Sequence, residues 1–462
     1  MGVFSLAGHR VEIRSRARDS AGGWRVIIPA DAWETSAACP VEPFEIAVGT
    51  EILIDLPSAW EAELEKAAAS AALFYPLPVN LNGSALPHDD FLRGAHQIET
   101  WEGYRIAVYL ERGRRDRCAP RINFHGVTLL ANFPSVAETG EGGCWDVSVD
   151  IVDAPQLQLV LPARKEMVEN DAVVRLRTAC ARAIYRAIAA RPDHRLSYTN
   201  WCEARDLGIV LPEAVRQLER WTPMTADRNA FQSGEPVEGG PMIVVPWFEA
   251  DIEQGAEPML RQLDLLDAAP VREFPPFEGY AWYDALPSVT QIQFAIDTGE
   301  SIHLYQPDLL PEHLCSGHVP AISLNLSIAS SRLPDALTEI RSFPIDLLVC
   351  NNETYWLDAS PIFVREGAAV SVDELTECIV DSLFQPDDAA GADSWSTQRD
   401  RFIRDAREQA NSLLLGEDEA VLANLWQVLS DDFAWRVPRG KALTAIIADR
   451  TVIVSLAPGA GA

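Results

Sequence analysis

Three groupings in this sequence have residue types and spacing that could do chemistry. The first is glycine. Met1-Gly2-Val3-Phe4-Ser5-Leu6-Ala7-Gly8 reads as a glycine loop turning into an apolar segment, and Gly49-Thr50 opens the alternating stretch Glu51-Ile-Leu-Ile-Asp-Leu56. Phosphate oxygens approach backbone N–H groups closely only where no side chain intervenes, so Gly2, Gly8 and Gly49 could line an anion site, with the Thr50 hydroxyl beside them. Ordinary turns are written with the same residues. The second grouping is the basic pair in Leu159-Val-Leu-Pro-Ala-Arg-Lys-Glu-Met-Val168, a strand, then Pro-Ala, then Arg164-Lys165, then a helix. A guanidinium and an ammonium both pair with phosphate, and a solvated basic pair at a helix start is the plainer alternative. Lys165 is one of three lysines, with Lys66 and Lys441. The third is His313-Leu-Cys-Ser-Gly-His318, three donors without a second ligand pair at zinc spacing; Pro311 and Gly317 mark it as a structural loop.

The elements that must position these groups follow from periodicity. Val11, Ile13 and Ser15 alternate with Glu12, Arg14 and Arg16, and Trp24 to Ile28 and the Gly49 stretch read as further strands. A helix is expected from Pro57-Ser58 to before Pro76, and Asn82-Gly83 signals a hairpin. Strands are expected over 104–110, 122–129, 145–151 and 157–161, followed by a helix from about 166 to 190 with Val173, Leu176, Cys180, Ile184 and Ile188 on one face. Beyond 192, strands are expected at 292–296, 322–328 and 345–350. Helices are expected at 372–384, 396–415 and 418–430, a linker at 385–393, and one closing strand over 445–456. The fold class is α+β.

The 462 residues carry a net charge of −30, unevenly spread. Residues 1–190 hold 19 basic and 25 acidic side chains, and residues 191–462 hold 19 and 43. So acidic a second half repels phosphate backbones, which leaves Arg112, Arg114, Arg115, Arg117 and Arg121 as the one cluster through which nucleic acid could be bound. A charge-rich solvated loop explains that cluster equally simply. No run of about 18 apolar residues is present, so no membrane association is expected. The eight cysteines form no CxxC pair, as in a reduced, cytoplasmic protein. Walker loops, Gly-x-Ser-x-Gly and His-Glu-x-x-His are absent.

Taken in order, the glycine elements, the Asn82-Gly83 hairpin and the strand–Pro–basic pair–helix segment resemble the GHKL ATP-binding superfamily, which groups DNA gyrase B, HtpG, histidine kinases and MutL. The resemblance covers roughly the first 190 residues. It implies that 1–57 are the distal part of the ATP-binding domain and 58–192 a transducer-type sheet with a packed helix. An α+β region of its own (193–384) and a linker, helical pair and closing strand (385–462) follow, without a family likeness. It further implies that Arg164 (by spacing) or Lys165 (by type) senses the γ-phosphate. In a complete protein ATP and Mg2+ would be the cofactors, for which the family uses a glutamate base, a magnesium-binding asparagine and an Asp-x-Gly-x-Gly adenine turn. No Asp-x-Gly-x-Gly occurs here, and Glu166-x-x-x-Asn170 lies after both glycine elements, in the wrong order. The expectation is a sequence that opens inside the nucleotide site, binds no cofactor by itself and is not an ATPase alone. A homodimer and an unidentified protein client remain open as partners. The competing class is a non-catalytic interaction module that has lost nucleotide binding.

Overall fold

The computed structural model describes residues 8–35, 38–111, 121–140, 143–157, 167–227, 229–230, 232–262, 268–306, 314–351, 356–389 and 392–458. Helices and several sheets alternate along the chain, an α+β architecture, in two compact units, Met1–Ala214 and Val215–Ala462. The expected divisions after 57 and after 384 fall inside these units.

The first unit opens with a four-stranded antiparallel sheet made of β1 (Val11–Arg16), β2 (Gly23–Ile28), β3 (Val41–Phe44) and β4 (Gly49–Ile54), in the order β3-β2-β1-β4. Glycine starts β2 because a Cβ at Gly23 would lie 2.5 Å from Ile46 Cγ2 and 2.8 Å from the Phe44 carbonyl oxygen. The single helix expected after Pro57 is instead two pieces, Ser58–Glu61 and α1 (Leu64–Ala72), and α1 buries only Ala72. Its alanines favour helix but offer little apolar surface to anchor a longer one. Asn82 and Gly83 take positive φ, 52° and 82°, and turn a short hairpin between Asn80–Leu81 and Ser84–Ala85.

The second sheet runs β8-β7-β9-β6-β5, from β5 (Gln97–Trp101), β6 (Tyr104–Glu111), β7 (Ile122–Phe124), β8 (Val127–Leu129) and β9 (Cys144–Ile151). Residues 122–129 are thus a hairpin rather than the one strand their apolar content suggests; His125 and Gly126 turn it at φ 48° and 89°. Trp145, Val147, Val149 and Ile151 face Leu110, Val108, Ile106 and Tyr104 across the β6/β9 ladder. Against this face packs α2 (Asp171–Ala189), burying Val173, Leu176, Cys180, Ile184 and Ile188. Asn170 caps α2 by accepting the Val173 N–H at 3.0 Å and donates to the Gln156 carbonyl at 3.3 Å, so its side chain is used structurally. Glu138, almost fully buried, accepts from Trp145 Nε1 (2.8 Å), Arg191 Nη1 (2.6 Å) and the Arg195 N–H (2.7 Å), tying the sheet to the chain between α2 and the next helix, α3 (Tyr198–Asp206).

The second unit is built on a mixed sheet of β10 (Met242–Val245), β11 (Ala269–Arg272), β12 (Ser288–Asp297), β13 (Ile302–Tyr305), β15 (Ala321–Ala329) and β16 (Thr338–Pro344), with the path β11-β10-β12-β15-β16 and β13 on β12. Only β10/β11 and β10/β12 are parallel pairs in it. A three-stranded sheet joins β14 (Gly317–Val319), β18 (Ile362–Arg365) and β17 (Leu347–Val349). The helix α4 (Ala250–Leu260) lies tightly on this core, since a Cβ at Gly255 would meet Phe294 Cζ at 2.9 Å and Leu348 Cδ1 at 3.0 Å. From α4, buried Glu253 receives both terminal nitrogens of Arg272 (2.7 and 2.9 Å) and the N–H groups of Met224 (2.8 Å) and Phe248 (2.9 Å). The guanidinium stacks 4.1 Å from the Trp247 ring. The terminal nitrogens also donate to the Thr222 and Pro246 carbonyls, and such added hydrogen bonds help a buried ion pair offset its desolvation. Asp251 on the same helix accepts from the Tyr305 hydroxyl and from the Asn351 N–H at 3.2 Å, and burial pushes its carboxyl upward.

Three helices follow, α5 (Val372–Leu383), started by a Ser371/Glu374 capping box, α6 (Trp395–Leu414) and α7 (Glu417–Val428). The chain's closing element is not one strand but a hairpin, β19 (Lys441–Ala448) with β20 (Thr451–Pro458). Asp449 and Arg450 take φ 47° and 65° between them, a two-residue turn written without glycine. Among the described residues no helix is long and apolar enough to cross a membrane.

Candidate functional site

Alternation along the strands gives the first sheet two unlike faces. One carries Glu12, Arg14, Arg25, Glu42 and Glu51. Arg14 Nε donates to Glu12 at 2.8 Å, Arg14 Nη1 lies 3.4 Å from Glu51, and Arg25 Nη2 donates to Glu42 at 2.8 Å. Both guanidiniums sit over the Phe44 ring, at 4.9 and 5.2 Å. The Arg14 hydrogen bond holds the Glu12 carboxyl below the usual carboxylate range. This is a solvated, ion-paired face.

The register places Val41, Trp24, Val26, Ile28, Ile13, Val11, Ile52 and Ile54 together on the opposite face. Val11 is buried, but Trp24, Val41 and Ile52 are 52%, 61% and 57% exposed. The face is therefore closed near Val11 and open towards Ser15, whose hydroxyl bonds that of Thr50 at 2.7 Å and whose cross-strand partners are Trp24 and Thr50. Gly49 pairs with Arg16 at this open end, exposed, with φ 141° and no atom within 4 Å of where a Cβ would stand. Gly8, also with room for a Cβ, precedes the other end of β1. Five residues of strand span about 17 Å, so Gly8 and the Gly49-Thr50 pair are not gathered into one cradle.

The other expected positions divide as follows. Gly2, Arg164 and Lys165 lie outside the described residues, as do Glu166, His313, Arg112, Arg114, Arg115 and Arg117. Arg121, counted with the loop arginines as a nucleic-acid contact, points inward. Its Nη1 is 3.3 Å from Asp146, both side chains are largely buried, and a second contact reaches the Val147 carbonyl. His318 Nε2 is 3.0 Å from the Leu413 carbonyl oxygen, and among the described residues no His, Cys, Asp and Glu side chains are grouped to hold a metal ion.

A second region was invisible in the sequence. A cleft of about 690 Å3 in the second unit is walled by α4, α5 and the segment 344–347. Glu257 of α4 and Glu377 and Asp381 of α5 share it, 120 residues apart in the chain. Burial raises the Glu257 carboxyl, Arg261 at 2.5 Å opposes this, and Glu377 adds to it. Burial likewise pushes Asp381 up to about 6, with Glu377 reinforcing and Arg399 opposing. The Cys378 thiol beside them is pushed up to about 12 by burial, so it stays protonated and unreactive near neutrality. The i, i+4 spacing of Glu377 and Asp381 is ordinary for an exposed helix; only the fold brings Glu257 opposite them.

Compared with models of known families, with curated proteins and with solved structures, the chain matches none.

Proposed function

We propose that the chain is the distal portion of a GHKL-type ATP-binding protein that couples nucleotide state to domain rearrangement, and that by itself it is not an ATPase. The observation that carries this reading is the half-open apolar face of the β1–β4 sheet, with Gly49-Thr50 at its open end. A sheet with one apolar face needs a second layer. In a GHKL domain that layer is helical and brings the glutamate base, the magnesium-binding asparagine and the adenine turn, none of which this sequence supplies in order. The residues present fit one phosphate contact. Gly49 offers an uncrowded backbone, the Thr50 and Ser15 hydroxyls lie beside it, and Arg16 is its cross-strand neighbour. ATP and Mg2+, when bound in the complete protein, would supply the hydrolysable phosphoryl group. This chain's part would be to brace the sheet under the nucleotide and to respond through the β5–β9 sheet and α2, with Arg164 or Lys165 ahead of α2 as the charge that follows the γ-phosphate.

The test is genetic and then kinetic. Translation of the DNA upstream of Met1 is expected to give an in-frame Glu-x-x-x-Asn helix and Asp-x-Gly-x-Gly. The extended protein is expected to hydrolyse ATP slowly, and loss of the sensing charge (Lys165→Ala or Arg164→Ala) to lower kcat about ten- to a hundredfold, the worth of one charge-assisted contact. The present chain is expected to show no micromolar ATP affinity by calorimetry. An upstream stop codon, or unchanged kcat in both variants, would sink the reading. The open face would then belong to a protein client, and the chain to the class of interaction modules.

A further inference from the structure

Two helical stripes meet across the cleft of the second unit, and the charge on them is not balanced within the protein. From α4 come Gln254, Glu257 and Pro258, with Arg261 at its C-terminal end, and from α5 come Glu374, Glu377, Cys378 and Asp381, each set spaced as one helix face. Asp346 adds a carboxylate from the segment 344–347. Three of these carboxylates are already used. Glu257 pairs with Arg261 at 2.5 Å, Asp346 accepts from Arg365 Nε at 2.8 Å, and Glu374 closes the capping box with Ser371. The carboxylates of Glu377 and Asp381 make no hydrogen bond or ion pair among the described residues, and Arg399 of α6 acts on Asp381 only at longer range.

Gln254 gives an observation independent of those charges. The residue is only 8% exposed, and its Nε2 donates to the Met224 carbonyl at 2.9 Å. That contact fixes the amide's orientation, since a carbonyl cannot donate to an oxygen put in its place. Oε1 is thereby the free end. It accepts no hydrogen bond and is not one of the polar atoms sealed in the core, so on a residue that lines the cleft it opens into the cleft. A largely buried acceptor without a donor is costly. Here that acceptor and two unpaired carboxylates border one space, and a positively charged donor would satisfy all three.

We propose that this cleft binds a small organic cation, an ammonium or guanidinium group on an alkyl stem, with the charged head among Glu377, Asp381 and Gln254 Oε1. The stem would lie against Ile345, Leu347 and Val370, which supply the apolar part of the lining. A volume of about 690 Å3 is that of a small-molecule site. A metal ion fits less well, because among the described residues no His, Cys, Asp and Glu side chains are grouped to hold one. An organic cation with several N–H donors tolerates acceptors spread along a helical turn.

Calorimetry on the full chain tests this with cadaverine and agmatine, and with pentanediol as the uncharged counterpart, at about 150 mM salt to screen diffuse attraction to the acidic surface. Each cation is expected to bind at one site per chain and the diol not to bind. Asp381→Asn and Glu377→Gln are each expected to weaken binding about tenfold or more. Gln254→Met, which keeps the volume and drops the acceptor, is expected to weaken it severalfold. Glu339→Gln removes the same charge from the exposed strand β16 and is expected to leave affinity unchanged. Thermal melting in parallel checks that each variant is folded. Asp381 is faced by Glu374, Glu377 and Cys378 of its own helix, by Glu257 and Arg261, by Asp346 and by Arg399. Burial, reinforced by Glu377, pushes it up to about 6, so proton and cation compete for it. Affinity is therefore expected to fall about tenfold from pH 7 to pH 5, and Asp381→Asn to lose most of that fall. Failure of both cations to bind at millimolar concentration, equal binding of the diol, or several weak sites per chain would each overturn the proposal. So would cleft variants that bind no worse than Glu339→Gln.

Discussion

The two large sheets of the first unit start from the same kind of sequence and reach different ends. In β6 and β9, residues alternate as Tyr104, Ile106, Val108 and as Trp145, Val147, Val149, and α2 covers the face they form until nothing of it is exposed. In β1, β2 and β4 the alternation of Ile13, of Trp24, Val26 and Ile28, and of Ile52 and Ile54 is as regular, yet Trp24 and Ile52 stand in solvent. Periodicity therefore marks a face that must be covered and says nothing of what covers it. For the β5–β9 sheet the cover lies about twenty residues downstream in the same chain; for β1–β4 no described element closes the Trp24–Val41–Ile52 end.

Matched substitutions in the two sheets sharpen this contrast. Ile106→Ala removes a fully buried side chain and is expected to lower unfolding free energy by about 2–5 kcal/mol, whereas Ile52→Ala is expected to change it by about 0.5 kcal/mol or less. Urea unfolding followed by far-UV circular dichroism compares them. Equal costs would mean the open face is closed in solution, and the contrast would fail. The polar groups give the next effect. Glu138→Ala strands the Trp145 N–H and Arg191 beside a buried position and is expected to cost about 2–3 kcal/mol, while Glu12→Ala on the ion-paired face leaves the midpoint unmoved.

The smallest effect contrasts two carboxylates by pH. Asp381 titrates near 6 in the folded protein and near 3.8 in the unfolded chain, so the native state holds its proton more tightly and stability falls as pH rises between those values. Asp381→Asn is expected to raise stability at pH 7.5 by about 1 kcal/mol after allowance for solvent screening, about 2–4 °C in Tm, and to do nothing at pH 3.5. Glu12 is held low by Arg14, so its contribution has the opposite sign and fades as pH falls. Paired melting curves at the two pH values decide between them; a gain for Asp381→Asn at pH 3.5 would mean that relief of the carboxylate charge is not the cause.

Most of the secondary structure was legible where the local signal and the tertiary result agreed. The strands at 104–111 and 144–151, the apolar stripe of α2 and the Asn82-Gly83 turn each follow from short-range pattern. The hairpins found at 122–129 and 441–458, where single strands are expected, share a cause. In both, a turn of two residues, His125-Gly126 and Asp449-Arg450, sits inside an apolar run, and apolar periodicity alone does not mark so short an interruption. Of the site, only Gly49-Thr50 and its strand could be placed from sequence. The separation of Gly8 from Gly49 depends on the antiparallel register of β1 with β4, and the inward turn of Arg121 depends on Asp146 in a neighbouring strand. The Glu253–Arg272 fork and the Glu257–Asp381 cleft join residues whose spacing carries no periodic signal.

The uncovered end of the β1–β4 sheet also has a consequence for the protein's lifetime in a cell. Chaperones and proteases survey newly made chains for solvent-facing tryptophan and isoleucine, and a subunit that presents them is retained or degraded until they are masked. Trp24 and Ile52, 52% and 57% exposed, are the side chains of this sheet that such surveillance would meet first, so the open end bears on how long the chain persists as well as on how it folds.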